Sequence, residues 1–181
     1  MSIFLAILSA FYLLLPAYMA NMAPVFFRNT FSFLALPIDG GRKLKGKRIF
    51  GDHKTVRGFI FGVLLGILTA SSQYLFQMNQ FFTSITLLNY SHFILIGFLL
   101  GFGALFGDLI KSFFKRRVDI PAGKPFIPFD QIDFTVGALF FICFIYVPPV
   151  EIIAISLLLS FSLHILVNRI GYWLNIREGK W

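Results

Sequence analysis

The sequence predicts an all-α, polytopic membrane protein with five transmembrane helices, its N-terminus outside the cell and its C-terminus in the cytoplasm. The 181 residues are 57% apolar and only 13% charged, whereas soluble domains contain about 25% charged residues. Five apolar runs alternate with polar segments. All sixteen lysines and arginines fall in the segments that five crossings would place on one side of the membrane. The positive-inside rule makes that side cytoplasmic.

Each apolar run is interpreted as one helix of a single transmembrane domain that covers residues 1–181. The runs span about residues 3–27, 58–78, 92–114, 134–147 and 152–167. Pro148 and Pro149 should end the fourth, because the residue before a proline avoids the helical conformation. The fourth and fifth runs are short for a hydrocarbon core about 30 Å thick. We therefore expect their helices to extend into the flanking polar residues.

The basic residues mark two predicted cytoplasmic loops, at about residues 28–57 and 115–130. Eight lie in residues 28–57, five in residues 111–124 and three after residue 168. A net charge of +8 can indicate nucleic acid binding, but charges confined to one membrane face indicate anionic lipid or an anionic substrate instead. No nucleic-acid partner is expected. Zinc is not expected either, because the three histidines are far apart and Cys143 is the single cysteine.

Half of the acidic residues belong to the second loop and its edges: Asp108, Asp119, Asp130 and Asp133. Asp108 lies about 24 Å along a helix from His92, at the edge of the hydrocarbon, where an ionisable group is costly and usually functional. Asp130 and Asp133 come shortly after Pro128 and fit the first turn of the fourth helix. Three carboxylates at adjoining helix ends suit Mg²⁺, which takes waters and substrate phosphates as its other ligands.

Asp108 has polar neighbours on its own helix. Ser112 and Lys115 follow at i+4 and i+7, so an acid, a hydroxyl and an amine share one helix face. This face is expected to line a groove at the membrane surface. Structural alternatives remain open: an ion pair of Asp108 with Lys111 or Lys115, and a helix cap in the case of Asp130.

The first loop carries a second polar pattern at residues 51–58, at the start of the second helix. The stretch reads Gly-Asp-His-Lys-Thr-Val-Arg-Gly. Its glycines, its cations and the helix N-terminus favour a phosphate site, although the P-loop spacing is absent. The alternative is a basic loop attracted to anionic lipid. Four other cations of the loop are expected to act only through that attraction: Lys43, Lys45, Lys47 and Arg48.

Small residues recur at the spacing that lets helices approach closely. The pairs lie in the second and third helices: Gly62 and Gly66, Gly97 and Gly101, and Gly103 and Gly107. His92 and His164 are expected to face apolar surroundings, and neither is expected to be catalytic.

Taken together, the two loop patterns resemble the archaeal-type CDP-archaeol synthases, a branch related to the CDP-diacylglycerol synthases. The resemblance covers most of the chain. In the first loop it rests on Pro37-Ile38-Asp39 and on residues 51–58. In the second it rests on Gly107-Asp108-Leu109-x-x-Ser112-x-x-Lys115-Arg116, then Asp119, then Asp130-x-x-Asp133. The chain departs from the wider cytidylyltransferase signature at Gln131, where arginine is usual, and at the turn of residues 125–129. Both departures side with the archaeal branch.

The resemblance implies a membrane enzyme that transfers CMP from CTP to 2,3-bis-O-geranylgeranylglycerol 1-phosphate or a similar lipid phosphate. The cofactor it implies is Mg²⁺, and the products are a CDP-lipid and pyrophosphate. Such a reaction needs no side-chain nucleophile, because a phosphate monoester has a second pKa of about 6 and is already anionic near neutral pH. The active site is expected on the cytoplasmic side of the cell membrane.

The resemblance also implies roles for particular residues. The catalytic group comprises Asp108, Asp133 and Lys115. The metal ligands are Asp108, Asp130 and Asp133. The nucleotide is assigned to Lys54, Thr55, Arg57, Gly58 and Asp39. The lipid phosphate is assigned to Ser112, Lys115 and Arg116. Asp39 and Asp119 are second-tier candidates for the site.

Three other functions are weighed against this one. The first is a CDP-diacylglycerol synthase that acts on phosphatidic acid. The second is a non-catalytic membrane anchor that binds anionic lipid through its basic loops, which does not explain the positions of Asp108 and Asp133. The third is a transporter, which would need ionisable groups near the bilayer midplane rather than at one face.

Overall fold

The fold is that of a computed structural model, which describes residues 2–121 and 124–173. Within these residues the main elements, in chain order, are α1 (Ile3–Phe26), β1 (Lys43–Leu44), β2 (Lys47–Arg48), α2 (Val56–Phe76), α3 (Gln80–Ile85), α4 (Phe93–Arg117), α5 (Phe129–Ile142) and α6 (Val150–Trp173). Single turns of 3₁₀ helix occur at Ser32–Leu34 and Tyr90–His92. The predicted helical membrane protein is confirmed, with a short β-hairpin in addition.

Four helices of the described part are long and apolar enough to cross a membrane: α1, α2, α4 with the turn before it, and α6. α5 has only 14 residues, or about 21 Å, against a hydrocarbon core of about 30 Å. It begins at Phe129, among polar residues as expected, but the prediction that it runs on to residue 147 is wrong. The N–H groups of Phe144 and Ile145 bond to carbonyls three residues back, so the chain leaves the helix through tight turns.

α4 lies at the centre of the bundle and packs against α1, α2 and α5, while α6 packs against α1 and α5. Glycines allow the close approach. A methyl group on Gly97 would lie 2.7 Å from the carbonyl oxygen of Gly66 in α2, and one on Gly107 would collide with the carbonyl oxygen of Asp133 in α5. The packing role predicted for the glycines is confirmed at these contacts, because any larger side chain would separate the helices.

Polar side chains within the bundle pair with one another. The Thr135 hydroxyl of α5 donates to Ser160 Oγ of α6 at 2.6 Å, and the Tyr18 hydroxyl of α1 lies 2.9 Å from the same oxygen. Gln73 of α2 donates to the carbonyl of Tyr12 in α1 at 2.6 Å. In a membrane interior these groups have no water to bond to, so internal partners keep the helices in register.

The first loop is a folded unit built around Asp39. Its carboxylate accepts N–H bonds from Gly41, Phe50 and Gly51 at 3.0–3.2 Å and pairs with Arg48 at 2.7 Å. Burial alone would raise the pKa of Asp39, but these donors outweigh it and lower the pKa to about 2. The ionised carboxylate therefore holds the two ends of the segment 39–51 together.

A β-hairpin lies inside the same loop. β1 and β2 are antiparallel, with Lys43 opposite Arg48 and Leu44 opposite Lys47. Lys45 and Gly46, at the turn, both have positive φ, as a type I′ hairpin turn requires. The sequence prediction missed this hairpin because strands of two residues leave no alternation of polar and apolar side chains to detect.

The connection between α2 and α4, predicted as polar loop, contains α3 and closes the end of the bundle away from the first loop. Asn79 caps α3 by accepting the N–H of Phe81 at 3.0 Å. Tyr90 is only 1% exposed and lies edge-to-face with Tyr12 of α1. These contacts attach the connection to the core.

Candidate active site

Three carboxylates meet between the C-terminal part of α4 and the first turns of α5. Lys111 of α4 lies among them: its Nζ is 3.2 Å from Asp108 Oδ1, 2.9 Å from Asp130 Oδ1 and 3.0 Å from Asp133 Oδ2. We call these three aspartates the carboxylate cluster. The structure thus brings together the three side chains that the sequence analysis selected as metal ligands.

Helix geometry and one close helix contact position the carboxylate cluster. Asp108 and Lys111 are one turn apart on α4. Asp130 lies in the first turn of α5, where it accepts a backbone N–H bond at 2.6 Å and complements the positive end of the helix. Gly107 allows the backbone at Asp133 to reach α4. The helix-cap alternative left open for Asp130 is therefore wrong, because the N–H that it accepts belongs to Phe126, before α5 begins. Its place near the positive end of the helix is compatible with the cluster.

Two further lysines balance the charge of the cluster. Lys54 from the first loop pairs with Asp108 Oδ2 at 2.5 Å, and Lys115 pairs with Asp130 Oδ2 at 3.0 Å. Together with Lys111, three ammonium groups face three carboxylates, so the group is neutral as a whole. These side chains are largely buried, and buried charges are tolerated only when they are paired.

Lys111 is the site residue that sequence reasoning missed. From the sequence, Lys111 is expected only as an ion-pair partner of Asp108, and that pair exists. The three-residue spacing from Asp108 was the available signal. Its contacts with Asp130 and Asp133 depend on how α5 packs against α4, which spacing along one helix does not report.

The oxygen donors of the cluster suit a hard divalent cation such as Mg²⁺. The described residues contain no group of three His, Cys, Asp or Glu side chains arranged to hold a metal ion; the Lys111 ammonium lies between the carboxylates instead. The residues therefore fit the cation by their chemistry, and the ion could enter only if Lys111 moved away.

Beside the cluster lies a pocket of about 230 Å³, which we call the cationic pocket. Its lining includes no acidic side chain and consists of Phe50, Gly51, His53, Lys54, Lys111, Ser112, Lys115 and Arg116. Lysine and arginine side chains suit the oxygens of an oligophosphate, and the three lysines of this pocket also reach the carboxylate cluster beside it. The structure therefore joins Lys54 of the first loop with Ser112, Lys115 and Arg116 of α4 in one pocket.

The other residues assigned to the nucleotide lie outside this pocket. Thr55 caps α2 by accepting the N–H of Gly58 at 3.2 Å, and Gly58 packs against Pro24 of α1. Arg57 donates to the carbonyl of Thr30 at 2.9 Å. Asp39 uses its oxygens within its own loop. In this structure, these residues shape the loop that presents Lys54.

Lys47 and Arg48 are not free basic residues, and the expectation that they act only on anionic lipid is wrong. Lys47 Nζ pairs with Asp119 Oδ2 at 2.5 Å, and Arg48 pairs with Asp39 and with Asp52 at 2.7 Å. Arg117 of α4 donates hydrogen bonds to three carbonyl oxygens of the hairpin. The shortest, at 2.6 Å, is to the carbonyl of Arg48. These contacts attach the hairpin to the end of α4. Asp119 therefore has a structural contact, because its ion pair with Lys47 helps to hold the hairpin there.

A polar cleft of about 250 Å³ opens on the other side of the cluster. Its lining includes Asn21 of α1 and His164 and Asn168 of α6, besides the carboxylate cluster itself. His164 Nδ1 lies 3.2 Å from Asn168 Nδ2. The expectation that His164 faces apolar surroundings is therefore wrong: apolar neighbours in sequence face lipid, while this helix face turns towards the site.

An apolar groove of about 760 Å³ runs between α4 and α5. Aromatic and aliphatic side chains make up most of its lining: Phe106, Ile110, Phe114, Val118, Phe126, Phe129, Ile132, Val136, Phe140 and Phe141. Lys111 and Asp133 also border it. Lys111 thus borders the apolar groove, the polar cleft and the cationic pocket at once.

Comparison with known proteins gives a consistent result. The family model for CarS-like CDP-archaeol synthases matches residues 3–181. A CDP-archaeol synthase of Archaeoglobus fulgidus is 40% identical over 97% of this chain and 98% of its own length. One of Thermococcus onnurineus is 47% identical over 75% of this chain and 74% of its own. A solved structure described as an intramembrane enzyme for archaeal membrane lipid biosynthesis is 31% identical, with a TM-score of 0.65 over 88% of this chain and 92% of that one.

Proposed function

The chain belongs to the CDP-archaeol synthase family, and we propose that it transfers CMP from CTP to 2,3-bis-O-geranylgeranylglycerol 1-phosphate or a similar archaeal lipid phosphate. It is a CTP-dependent nucleotidyltransferase embedded in the membrane by several helices. The observation that carries the proposal is the meeting of three features at Lys111: a cationic pocket, a carboxylate cluster and an apolar groove. One triphosphate and one lipid can approach each other there.

In the proposed reaction an oxygen of the lipid phosphate attacks the α-phosphorus of CTP, and the bond from that phosphorus to the bridging oxygen breaks. Pyrophosphate leaves with the bonding electron pair. The nucleophile is already deprotonated near neutral pH, since the second pKa of a monoester is about 6. The protein need only position the reactants and neutralise charge, as in other transfers to phosphorus.

We assign the phosphates of CTP to the cationic pocket. Lys54 lines this pocket together with Lys115 and Arg116. The resemblance assigned the latter two to the lipid phosphate, but the shared pocket supports their use on the nucleotide phosphates. Ser112 adds a hydroxyl to the lining of the same pocket. Direct contact of the nucleotide with Thr55, Arg57, Gly58 and Asp39 stays a prediction; their present contacts support a role in shaping the first loop.

Asp108, Asp130 and Asp133 would hold Mg²⁺ in this proposal. A divalent cation supplies neutralisation of phosphate charge and a template for substrate oxygens. Asp108 and Asp133 come from different helices, so their joint use depends on the α4–α5 contact at Gly107. Asp130 contributes from the first turn of α5.

The apolar groove is proposed to hold the chains of the lipid substrate. Its volume of about 760 Å³ lies in the upper part of the usual range for ligand sites, about 300–1,000 Å³. Lys111 borders both this groove and the cationic pocket, so the phosphate of a lipid bound in the groove would lie close to the phosphates of the nucleotide. Family membership favours an archaeal lipid over phosphatidic acid. A non-catalytic anchor would have no use for a carboxylate cluster beside a cationic pocket.

Five membrane crossings are proposed, with the N-terminus outside and the active site in the cytoplasm. The position of the cleft supports α5 as the fifth crossing. Its lining includes Asp108 in the C-terminal part of α4, Asp130 at the start of α5 and His164 in the C-terminal half of α6. α5 must therefore carry the chain to the far end of the bundle, where α6 begins. The basic residues near the site then face the cytoplasm.

Cysteine labelling in intact cells tests this topology. In a Cys143→Ser background, Met78→Cys at the far end should react with an impermeant thiol reagent, and Lys45→Cys in the hairpin should not. Both original side chains are exposed, so access depends on the side of the membrane. The opposite labelling pattern would overturn the proposed orientation.

The activity is tested by pyrophosphate release from CTP by the purified protein in detergent. Release should require Mg²⁺ and a lipid phosphate, and should proceed faster with the geranylgeranyl ether lipid than with phosphatidic acid. EDTA should abolish it. Equal rates with both lipids would contradict the archaeal substrate, and no release with either would contradict the proposed function.

A further inference from the structure

We propose that Lys111 keeps the carboxylate cluster closed to divalent cations until a nucleotide binds, so that metal and nucleotide enter the site together. The inference rests on the proposed function and adds to it the order in which the metal and the nucleotide bind. It assigns Lys111 as a positioning residue rather than as a ligand or a nucleophile.

The first argument is the space between the carboxylates. One Nζ atom lies within 3.2 Å of an oxygen from each of Asp108, Asp130 and Asp133. A magnesium ion bonds oxygen at about 2.0–2.1 Å. An ion bound to these oxygens would lie where the ammonium lies, so the ammonium and the ion exclude each other.

The second argument is charge. The cluster and its three lysines carry no net charge, so nothing in the closed site attracts a free divalent cation. A cation that displaced Lys111 would leave a buried ammonium without a partner, which is strongly unfavourable. Metal alone is therefore expected to bind weakly.

The third argument is the place to which Lys111 can turn. Lys111 already borders the cationic pocket, whose described lining contains no acid. With the pocket empty, an ammonium there would meet the other cations, Lys54, Lys115 and Arg116. With a triphosphate bound, the same position becomes favourable, because the phosphate oxygens can accept its hydrogen bonds.

These three arguments couple the two ligands. A nucleotide draws Lys111, and with it Lys54, away from the carboxylates and so opens the cluster to metal. By linkage, metal must then strengthen nucleotide binding by the same factor. The device would prevent metal from occupying the site without a substrate to activate.

The test measures Mn²⁺ binding to the purified protein without nucleotide or lipid, from the loss of the free-ion signal in electron paramagnetic resonance. Wild type should bind Mn²⁺ weakly. Lys111→Met keeps the length of the side chain and removes the charge, so it should bind Mn²⁺ at least about tenfold more tightly. Lys111→Arg keeps the charge and should stay weak. Lys43→Met removes an exposed charge in the hairpin and controls for net charge alone.

Unchanged Mn²⁺ affinity in Lys111→Met would overturn the proposal, and so would an equal gain in Lys43→Met. If Lys111→Met folds poorly because its carboxylates repel one another, thermal unfolding with and without Mn²⁺ serves as the second measurement. Mn²⁺ should then raise its Tm by more than it raises that of wild type, and an equal or smaller rise would count against the proposal.

A separate measurement distinguishes this inference from the proposed function. The affinity of the wild type for CTP is measured with and without Mg²⁺. Mg²⁺ should increase this affinity strongly in the wild type and less in Lys111→Met. Failure of pyrophosphate release would contradict the proposed reaction and leave the metal-binding result intact. Strong Mn²⁺ binding by the wild type without nucleotide would contradict the proposed role of Lys111 but not the proposed reaction.

Discussion

The hairpin of the first loop and the segment that follows it are both basic, but their cations have different partners. In the hairpin, Lys47 pairs with an exposed acid, Asp119, whose side chain is 74% exposed. A few residues later, Lys54 pairs with Asp108, whose side chain is 16% exposed. An exposed ion pair contributes about 0–1 kcal/mol, whereas an unpaired buried charge costs several. For these two lysines, the burial of the partner, and not the density of charge around them, decides how firmly each is held, and Lys54 is the one that we propose to act on the nucleotide.

The largest expected effect comes from removing a carboxylate of the cluster. Asp108→Asn takes a partner from both Lys54 and Lys111 and removes a proposed metal ligand. Its kcat/KM for CTP should fall by at least about a hundredfold, the upper part of the range for residues that support metal ligands. Glu151→Gln, at the far end of the bundle, should keep the wild-type rate. Near-normal turnover by Asp108→Asn would remove Asp108 from the site.

The next effect tests whether helix packing positions the cluster. In Gly107→Ala the new methyl group collides with the carbonyl oxygen of Asp133, so α5 must shift. We expect a loss of about 1–3 kcal/mol in stability and a fall in kcat through displacement of Asp133. Thermal unfolding in detergent and turnover measure the two quantities. Leu68→Ala on the lipid-facing side of α2 should change neither greatly, and an active, stable Gly107→Ala would contradict the packing argument.

A smaller effect separates the cations of the first loop. Lys54→Ala should raise the KM for CTP or lower kcat about tenfold to a hundredfold, because a charge-assisted hydrogen bond contributes about 1.5–3 kcal/mol. The defect should persist in high salt, since a partly buried contact is weakly screened. Arg57→Ala should be milder, because Arg57 contacts a backbone carbonyl outside the pocket. Lys43→Ala is the exposed control. Equal defects in Lys54→Ala and Lys43→Ala would contradict a specific phosphate contact of Lys54 and would indicate that the loop acts only as a basic patch.

The smallest effect concerns the hairpin itself. Lys47→Ala breaks the pair with Asp119 and should lower the unfolding free energy by less than about 1 kcal/mol. The difference from wild type should shrink in salt, because both partners are solvent-accessible. Lys45→Ala, at the exposed turn, should leave stability unchanged. A loss of activity in Lys47→Ala as great as that of Lys54→Ala would show that docking of the hairpin matters for catalysis.

Much of the fold follows from the sequence, because a membrane imposes strong rules on it. Long apolar runs must be helical in lipid, where every backbone N–H and C=O needs a partner within the chain. α1, α2, α4 and α6 were therefore predictable to within a few residues. The two-residue strands and the early end of α5 were not, because turn geometry and local hydrogen bonds decide them.

The features of the site can also be separated into those that follow from the sequence and those that follow from the packing of the helices. The sequence by itself determined that Asp130 and Asp133 lie in the first turns of α5 and that Asp108 lies in the C-terminal part of α4, because the extents of these helices follow from apolar runs and prolines. Only the tertiary structure decided that Lys111 lies between them, that Lys54 reaches Asp108 while Arg57 turns away, and that His164 faces the cleft. Periodicity assigns a residue to a face of its own helix. Which neighbour that face meets depends on how closely helices approach, and here the glycines of α4 and α5 set that distance.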